Sequence, residues 1–322
     1  MSEFNFERSD AIWELKADIM KIAASLCIFS PLCFLSANLF MYIYSAFSKV
    51  PGKELSVRFI ESGFYPFYLI FVTIIPIMCS ILLLNKLTER KLSPHSFKPT
   101  IKGKTFSLFV LLGLGSIYLS AFLGDIWSKF LSQFNLDNSS ELSIPTNTFG
   151  IIVFLICTCI LTPILEEYLF RGIILEKLMP YGSIFAVLTS SFLFAIMHST
   201  FSAQLPIFFM GVVFALLALY SGSPAASAVV HAVNNLISCI LSLMSKTDYY
   251  QSISSYLSII LIALLIVSAV SYALLSNKGA LSIVLKKCPV SPIRRLVIVV
   301  FCPAVLFLIA IFLVTALLNL GG

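Results

Sequence analysis

Two adjacent glutamates, Glu166 and Glu167, stand five and four residues ahead of Arg171 in the stretch TPILEEYLFRGII (162–174). Downstream, His198 ends FAIMH (194–198), and His231 and Asn235 bound HAVNN (231–235). A carboxylate, two imidazoles and a carboxamide converging in a bundle could do hydrolytic chemistry. A buried glutamate can deprotonate water, while neutral imidazole and carboxamide N–H groups can stabilise the oxyanion on a peptide carbonyl. The same Glu166, His198 and His231 could instead hold a divalent metal such as zinc that supplies the water. Helical spacing sorts the groups. Glu167 and Arg171 are i and i+4, glutamate first, the favourable order for a pair on one face. Glu166 is turned from them by about 100° and is left to find another neighbour. Pro163 removes a backbone donor just upstream and is expected to kink the helix. His231 and Asn235 share a face, with Asn234 close to it at i+3, and Phe194 shares a face with His198.

The elements that must carry these groups are membrane helices. The chain has 322 residues, 59% of them hydrophobic and 11% charged, with a mean hydropathy of +1.00; a soluble domain carries about 25% charged residues. Apolar runs of about 20 residues, enough to cross a bilayer, recur along the whole length. They are continuous rather than alternating with period two, which argues against a β-barrel. The pattern predicts an all-α polytopic membrane protein, a bundle of about eight to nine transmembrane helices. The runs fall near 22–47, 64–85, 105–124, 148–170, 183–200, 205–221, 224–244, 253–276 and 296–318. The mixed-charge leader 1–21 is no cleavable signal peptide, and the run after it reads as a retained signal anchor. Alternate connections then carry 16 and 5 of the 21 Lys and Arg, a bias that sets the amino terminus inside.

The net charge of +6 reports this topology and contact with anionic headgroups; with no basic, aromatic-interleaved soluble segment, nucleic acid is excluded. The eight cysteines form no CxxC pair and lie mostly in apolar runs, so they read as small core residues rather than disulfides or zinc ligands. His95, the third histidine, reads as a loop residue in the basic 86–104 connection. No repeat or soluble domain interrupts the chain, and the divisions read as 1–147, 148–245 and 246–322.

Ionisable groups inside a membrane cost about 2.5–3.5 kcal/mol each on insertion scales, so each needs a reason. Singly, each has a structural one: an ion pair for Glu167 and Arg171, an interfacial position for His198, a helix–helix hydrogen bond for Asn235. Together, on three nearby spans, they mark a polar intramembrane site of an enzyme or a transporter.

The three clusters, in order, resemble the EExxxR, FxxxH and HxxxN motifs of the CPBP family, the CAAX proteases and bacteriocin-processing or immunity (Abi) membrane proteins. Here they read EEYLFR (166–171), FAIMH (194–198) and HAVNN (231–235), and the resemblance covers about residues 150–245. It implies a CAAX-protease-like core and an intramembrane endopeptidase. Glu166 would be the general base, with His198 holding and polarising the water. His231 and Asn235 would complete the site, Asn235 as oxyanion donor, and Glu167 and Arg171 would orient it. No HExxH is present, and the resemblance favours the metal-free, glutamate-dependent mechanism over a metal held by Glu166, His198 and His231. The partners implied are membrane lipid and a membrane-associated substrate: a prenylated CaaX tail, a leader peptide or a pheromone precursor. A bacterial cell membrane would favour a peptide or membrane-protein substrate. A non-catalytic immunity or regulatory partner is the second reading and a transporter the third. On the span limits above, His198 falls about five residues deeper than Glu166 and His231, roughly 7 Å.

Overall fold

The computed structural model describes residues 2–48, 52–88, 101, 103–137, 144–245, 247–281 and 288–320. Backbone buried in lipid must satisfy its own hydrogen bonds, and every regular element among the described residues is helical. In chain order these are α1 (Ser2–Leu26), α2 (Phe29–Ser48), α3 (Gly52–Ile60), α4 (Tyr65–Leu87), α5 (Lys104–Ser132), α6 (Thr148–Tyr181), α7 (Ser183–Ile196), α8 (Gln204–Ser221), α9 (Ala225–Met244), α10 (Tyr250–Asn277), α11 (Pro292–Val300) and α12 (Pro303–Leu318). Among the described residues seven helical runs are long and apolar enough to cross a membrane, with α1 and α2 forming one run, Ser9–Ser48. The count is eight if α11 and α12, bent by 58°, make one span. Cys302 and Pro303 form that bend, because proline cannot continue the helix before it. His95 and most of the 86–104 connection lie outside the described residues.

Two expected boundaries move. The run 183–200 is helical only to Ile196, so α7 has 14 residues and is about 21 Å long, short of a full crossing. At the other end of the chain, the leader is no detached segment. Leu15, Ile19, Ile22, Ala23 and Leu26, spaced i, i+4, i+7, i+8 and i+11, are buried in the main core, where α1 packs on α4, α11 and α12. One of the charges that obscure this stripe in the sequence is itself paired: Asp18 meets Lys177 at 2.8 Å and accepts a hydrogen bond from the Tyr181 hydroxyl at 2.8 Å.

Close helix approach in lipid depends on small residues. A Cβ at Gly115 of α5 would stand 2.3 Å from Ser268 Cβ of α10, and Ser268 Oγ donates to Leu112 O at 2.6 Å across the same contact. Two residues earlier and on the opposite face of the helix, Gly113 leaves room for Leu217 of α8 and Val230 of α9. These contacts lock α5, α8, α9 and α10 together, so that α9 presents its polar face to α6. The eight cysteines are free thiols, four of them buried.

Candidate active site

The site begins with a backbone irregularity in α6. This helix is wound with π-type turns at Ile156–Leu161 and Tyr168–Ile174, and Thr162 N–H reaches back to Cys157 O. The next residue, Pro163, has no N–H. Neither of the donors four and five residues beyond Thr158 therefore closes on its carbonyl. Asn235 of α9 does so instead, donating from Nδ2 to Thr158 O at 3.0 Å. A carboxamide filling a proline-opened gap in a neighbouring helix is a recurrent solution inside membranes. This is a hydrogen bond to the backbone, and only the second amide hydrogen remains for any oxyanion.

One turn further along α6, Glu167 is fully buried and Arg171 nearly so. Arg171 Nε lies 3.2 Å from Glu167 Oε2, the i,i+4 pair expected from spacing. The two atoms are off-axis for a hydrogen bond, so the contact is an ion pair. The guanidinium is placed by other groups: Nη1 donates to Ser190 Oγ at 3.1 Å, Ser190 Oγ donates to Phe170 O at 3.1 Å, and the rings of Phe194, Phe170 and Phe214 lie 4.8, 5.8 and 5.9 Å from Arg171 Cζ. Such desolvated cation–π contacts are worth about 2 kcal/mol or more.

The other oxygen of Glu167 meets His231. Its Oε1 lies 3.2 Å from His231 Nδ1, and a carboxylate there calls for a proton on Nδ1, which leaves Nε2 as the acceptor. His231 Nε2 faces Glu166 Oε2 at 3.6 Å. The imidazole thus stands between the two glutamates, with Phe214 stacked on it at 5.0 Å and Phe194 edge-on at 5.9 Å. Spacing left Glu166 as the unpaired carboxylate; in the fold both carboxylates share one histidine.

His198 lies two residues beyond the end of α7. Its Nδ1 is 3.0 Å from Phe194 O, so Nδ1 carries the proton and Nε2 is free to accept. The loop after it is pinned by Gln204, which donates to His198 O at 2.7 Å and Thr200 O at 3.1 Å, and by Asn319 of the segment after α12, which donates to Ser199 O at 3.0 Å. His198 and Glu166 line one cavity of about 120 Å³ with Phe194, Phe170 and Met197. At roughly 30 Å³ per water, it has room for a few waters and none for a peptide. The expected depth offset of His198 does not separate it from Glu166, because α7 is short and delivers its end to the level of the glutamates.

Sequence spacing missed the rest of that cavity's wall. Leu26 and Phe29, at the α1–α2 break, and Ile77 of α4 close it. Ser190 and Gln204, which hold Arg171 and the His198 loop, carried no motif either. The only sequence signal for the wall was the periodic stripe of α1 described above. Asn234 makes its contact within α9, its carbonyl accepting from Ser238 Oγ at 3.1 Å. Among the described residues no three His, Cys, Asp or Glu side chains are grouped as metal ligands.

Residues 148–237, from the start of α6 to well into α9, match the family model for type II CAAX prenyl endopeptidase Rce1-like proteins. This segment is similar to a CAAX-protease domain. The match contains Glu166, Glu167, Arg171, His198, His231 and Asn235, the six residues picked out by type and spacing. The cavity-closing residues of α1, α2 and α4 lie outside the matched segment. Comparison with curated proteins and with solved structures returns no match.

Proposed function

We propose that this protein is an intramembrane endopeptidase that hydrolyses a peptide bond of a membrane-associated peptide or protein without a metal. The observation that carries the reading is the meeting of Glu166 and His198 on one small enclosed cavity, inside a segment similar to a CAAX-protease domain. In this reading a water in the cavity gives a proton to Glu166 as its oxygen attacks the peptide carbonyl carbon, while His198 Nε2 holds the water in line. His231 Nε2, 3.6 Å from Glu166, is the neighbouring proton acceptor. A proton passed along this pair reaches the leaving nitrogen as the C–N bond breaks, giving a carboxylate and an amine. The Glu167–Arg171 pair keeps His231 in the tautomer that presents Nε2 to Glu166. Oxyanion donation from Asn235 uses its second amide hydrogen, the first being engaged with Thr158 O.

The test is hydrolysis of candidate peptides by the purified full chain, followed by mass spectrometry of the products. General-base catalysis contributes about 10²–10⁴-fold, so Glu166→Gln and His198→Ala are expected to lose at least a hundredfold in rate while remaining folded. Activity unchanged in both variants ends the proposed mechanism. Retained biological effect in Glu166→Gln, with no cleavage by wild type, would point to a binding partner instead of an enzyme.

A further inference from the structure

A second and larger cavity lies on the opposite side of α7 from the site. It is an open groove of about 570 Å³ between α7, α8 and α11, walled by Ile184, Leu188, Phe192, Phe208, Leu296 and Val299. It shares no lining residue with the cavity at Glu166: Phe192 faces the groove and Phe194, about 200° around the helix, faces the site. The volume is in the range of small-molecule pockets, and the walls are almost wholly apolar.

One end of the groove is charged. Arg295 lines it and is held by a hydrogen bond from Nη1 to Tyr181 O and by the ring of Phe185, 5.5 Å from Cζ. Its Nε is buried with no acceptor, and among the described residues no carboxylate lies within ion-pair distance of it. Asp18, which accepts a hydrogen bond from the Tyr181 hydroxyl, is already engaged by Lys177. Arg294 is exposed beside it, and both arginines lie in the first turn of α11, where Ser291 caps the helix and the unpaired N–H groups add positive potential. A cation with no counter-ion among the described residues, at the mouth of an apolar groove in a chain of membrane-spanning helices, complements one kind of molecule: an amphiphile with an anionic head and a hydrocarbon tail.

We propose that the groove between α7 and α11 binds an anionic phospholipid, its phosphate at Arg295 and Arg294 and one acyl chain along Ile184, Leu188 and Phe192. Basic pockets between membrane helices recognise anionic headgroups in this way. The site is independent of the peptidase reading, since neither groove residue nor arginine belongs to the hydrolytic set.

The experiment is native mass spectrometry of the full chain in detergent, titrated with dioleoylphosphatidylglycerol or dioleoylphosphatidylcholine. One phosphatidylglycerol is expected to stay bound at activation energies that strip phosphatidylcholine. Arg295→Gln is expected to lower its retention about fivefold, the effect of one basic residue at a membrane surface. Leu188→Trp, which fills the groove from an exposed position, is expected to lower retention as well. Equal retention of the two lipids by wild type overturns the proposal. So does a neutral farnesylated peptide that displaces phosphatidylglycerol, since the groove would then serve a substrate. If Arg295→Gln does not fold, Leu188→Trp decides alone, and unchanged retention in that variant overturns the proposal.

Discussion

Arg171 is the residue on which the arrangement of the others depends. It neutralises Glu167 where both side chains are buried, and Glu167 in turn orients His231. Removing one partner of a buried pair strands the other charge and costs about 3–5 kcal/mol. Arg171→Ala should therefore lower stability by that order, read as a fall in the thermal midpoint of the detergent-solubilised protein. Glu167→Gln combined with Arg171→Met should recover much of the loss, because no unpaired charge remains, while hydrolysis stays lost as His231 is no longer oriented. Arg171→Lys should fall between them: an ammonium retains the charge but not the planar fork that reaches Glu167 and Ser190 while lying against three rings.

At the scale of elements, Pro163 and Asn235 act as a unit across α6 and α9. Asn235→Leu leaves Thr158 O without its donor, at a cost of about 1–3 kcal/mol for a buried unsatisfied group. Pro163→Ala restores a backbone N–H, so the double variant is expected to regain stability in the same thermal assay. Hydrolysis is the second readout: activity that returns with stability would make Asn235 a helix clamp, and activity that stays lost would add a role on the substrate. A second junction ties the turn after α3 to the start of α6. The Glu61 carboxylate accepts from Thr146 N at 2.8 Å, and from Asn147 N and Nδ2 at 3.2 Å each, while Asn147 Oδ1 caps α6 by accepting from Gly150 N.

The Thr146 backbone N–H, with smaller help from Asn147, holds Glu61 below the usual carboxylate range. Lowered in the fold, that value implies a stabilisation fully present above the unfolded value of about 4.3 and lost as pH falls through the folded one. The group is exposed, so the effect is local. Amide exchange at Thr146–Gly150, corrected for intrinsic rate, should rise severalfold on acidification below about pH 4, and Glu61→Gln should show the same rise at neutral pH.

At the scale of the whole molecule, the matched domain does not close its own cavity. Leu26, Phe29 and Ile77 come from helices before it, and α1 is packed into the main core rather than standing apart. Deleting residues 1–26 leaves every motif in place, yet it should abolish hydrolysis and broaden the elution profile in detergent. The cavity is also too small for a peptide, so substrate must displace a wall. Phe29→Ala, which thins the wall at the α1–α2 break, should raise the hydrolysis rate on bulky substrates more than on small ones; equal rates would place the way in elsewhere.

Much of this was legible in the residues alone. Long apolar runs have one solution in lipid, and the cost of intramembrane charge made six residues conspicuous before any coordinate was known. The i,i+4 pairing of Glu167 with Arg171 follows from helical geometry, and the structure has it. Contacts between helices do not follow from geometry along one helix. Only the tertiary structure set His231 between both glutamates, gave Asn235 to a carbonyl that Pro163 leaves open, and brought Leu26, Phe29 and Ile77 to the cavity. It also opened a separate groove ending at Arg295. Spacing orders side chains around a single axis, whereas their partners depend on how several axes pack, and in this protein that packing is settled by glycine contacts between helices and a proline-opened turn just ahead of the glutamates.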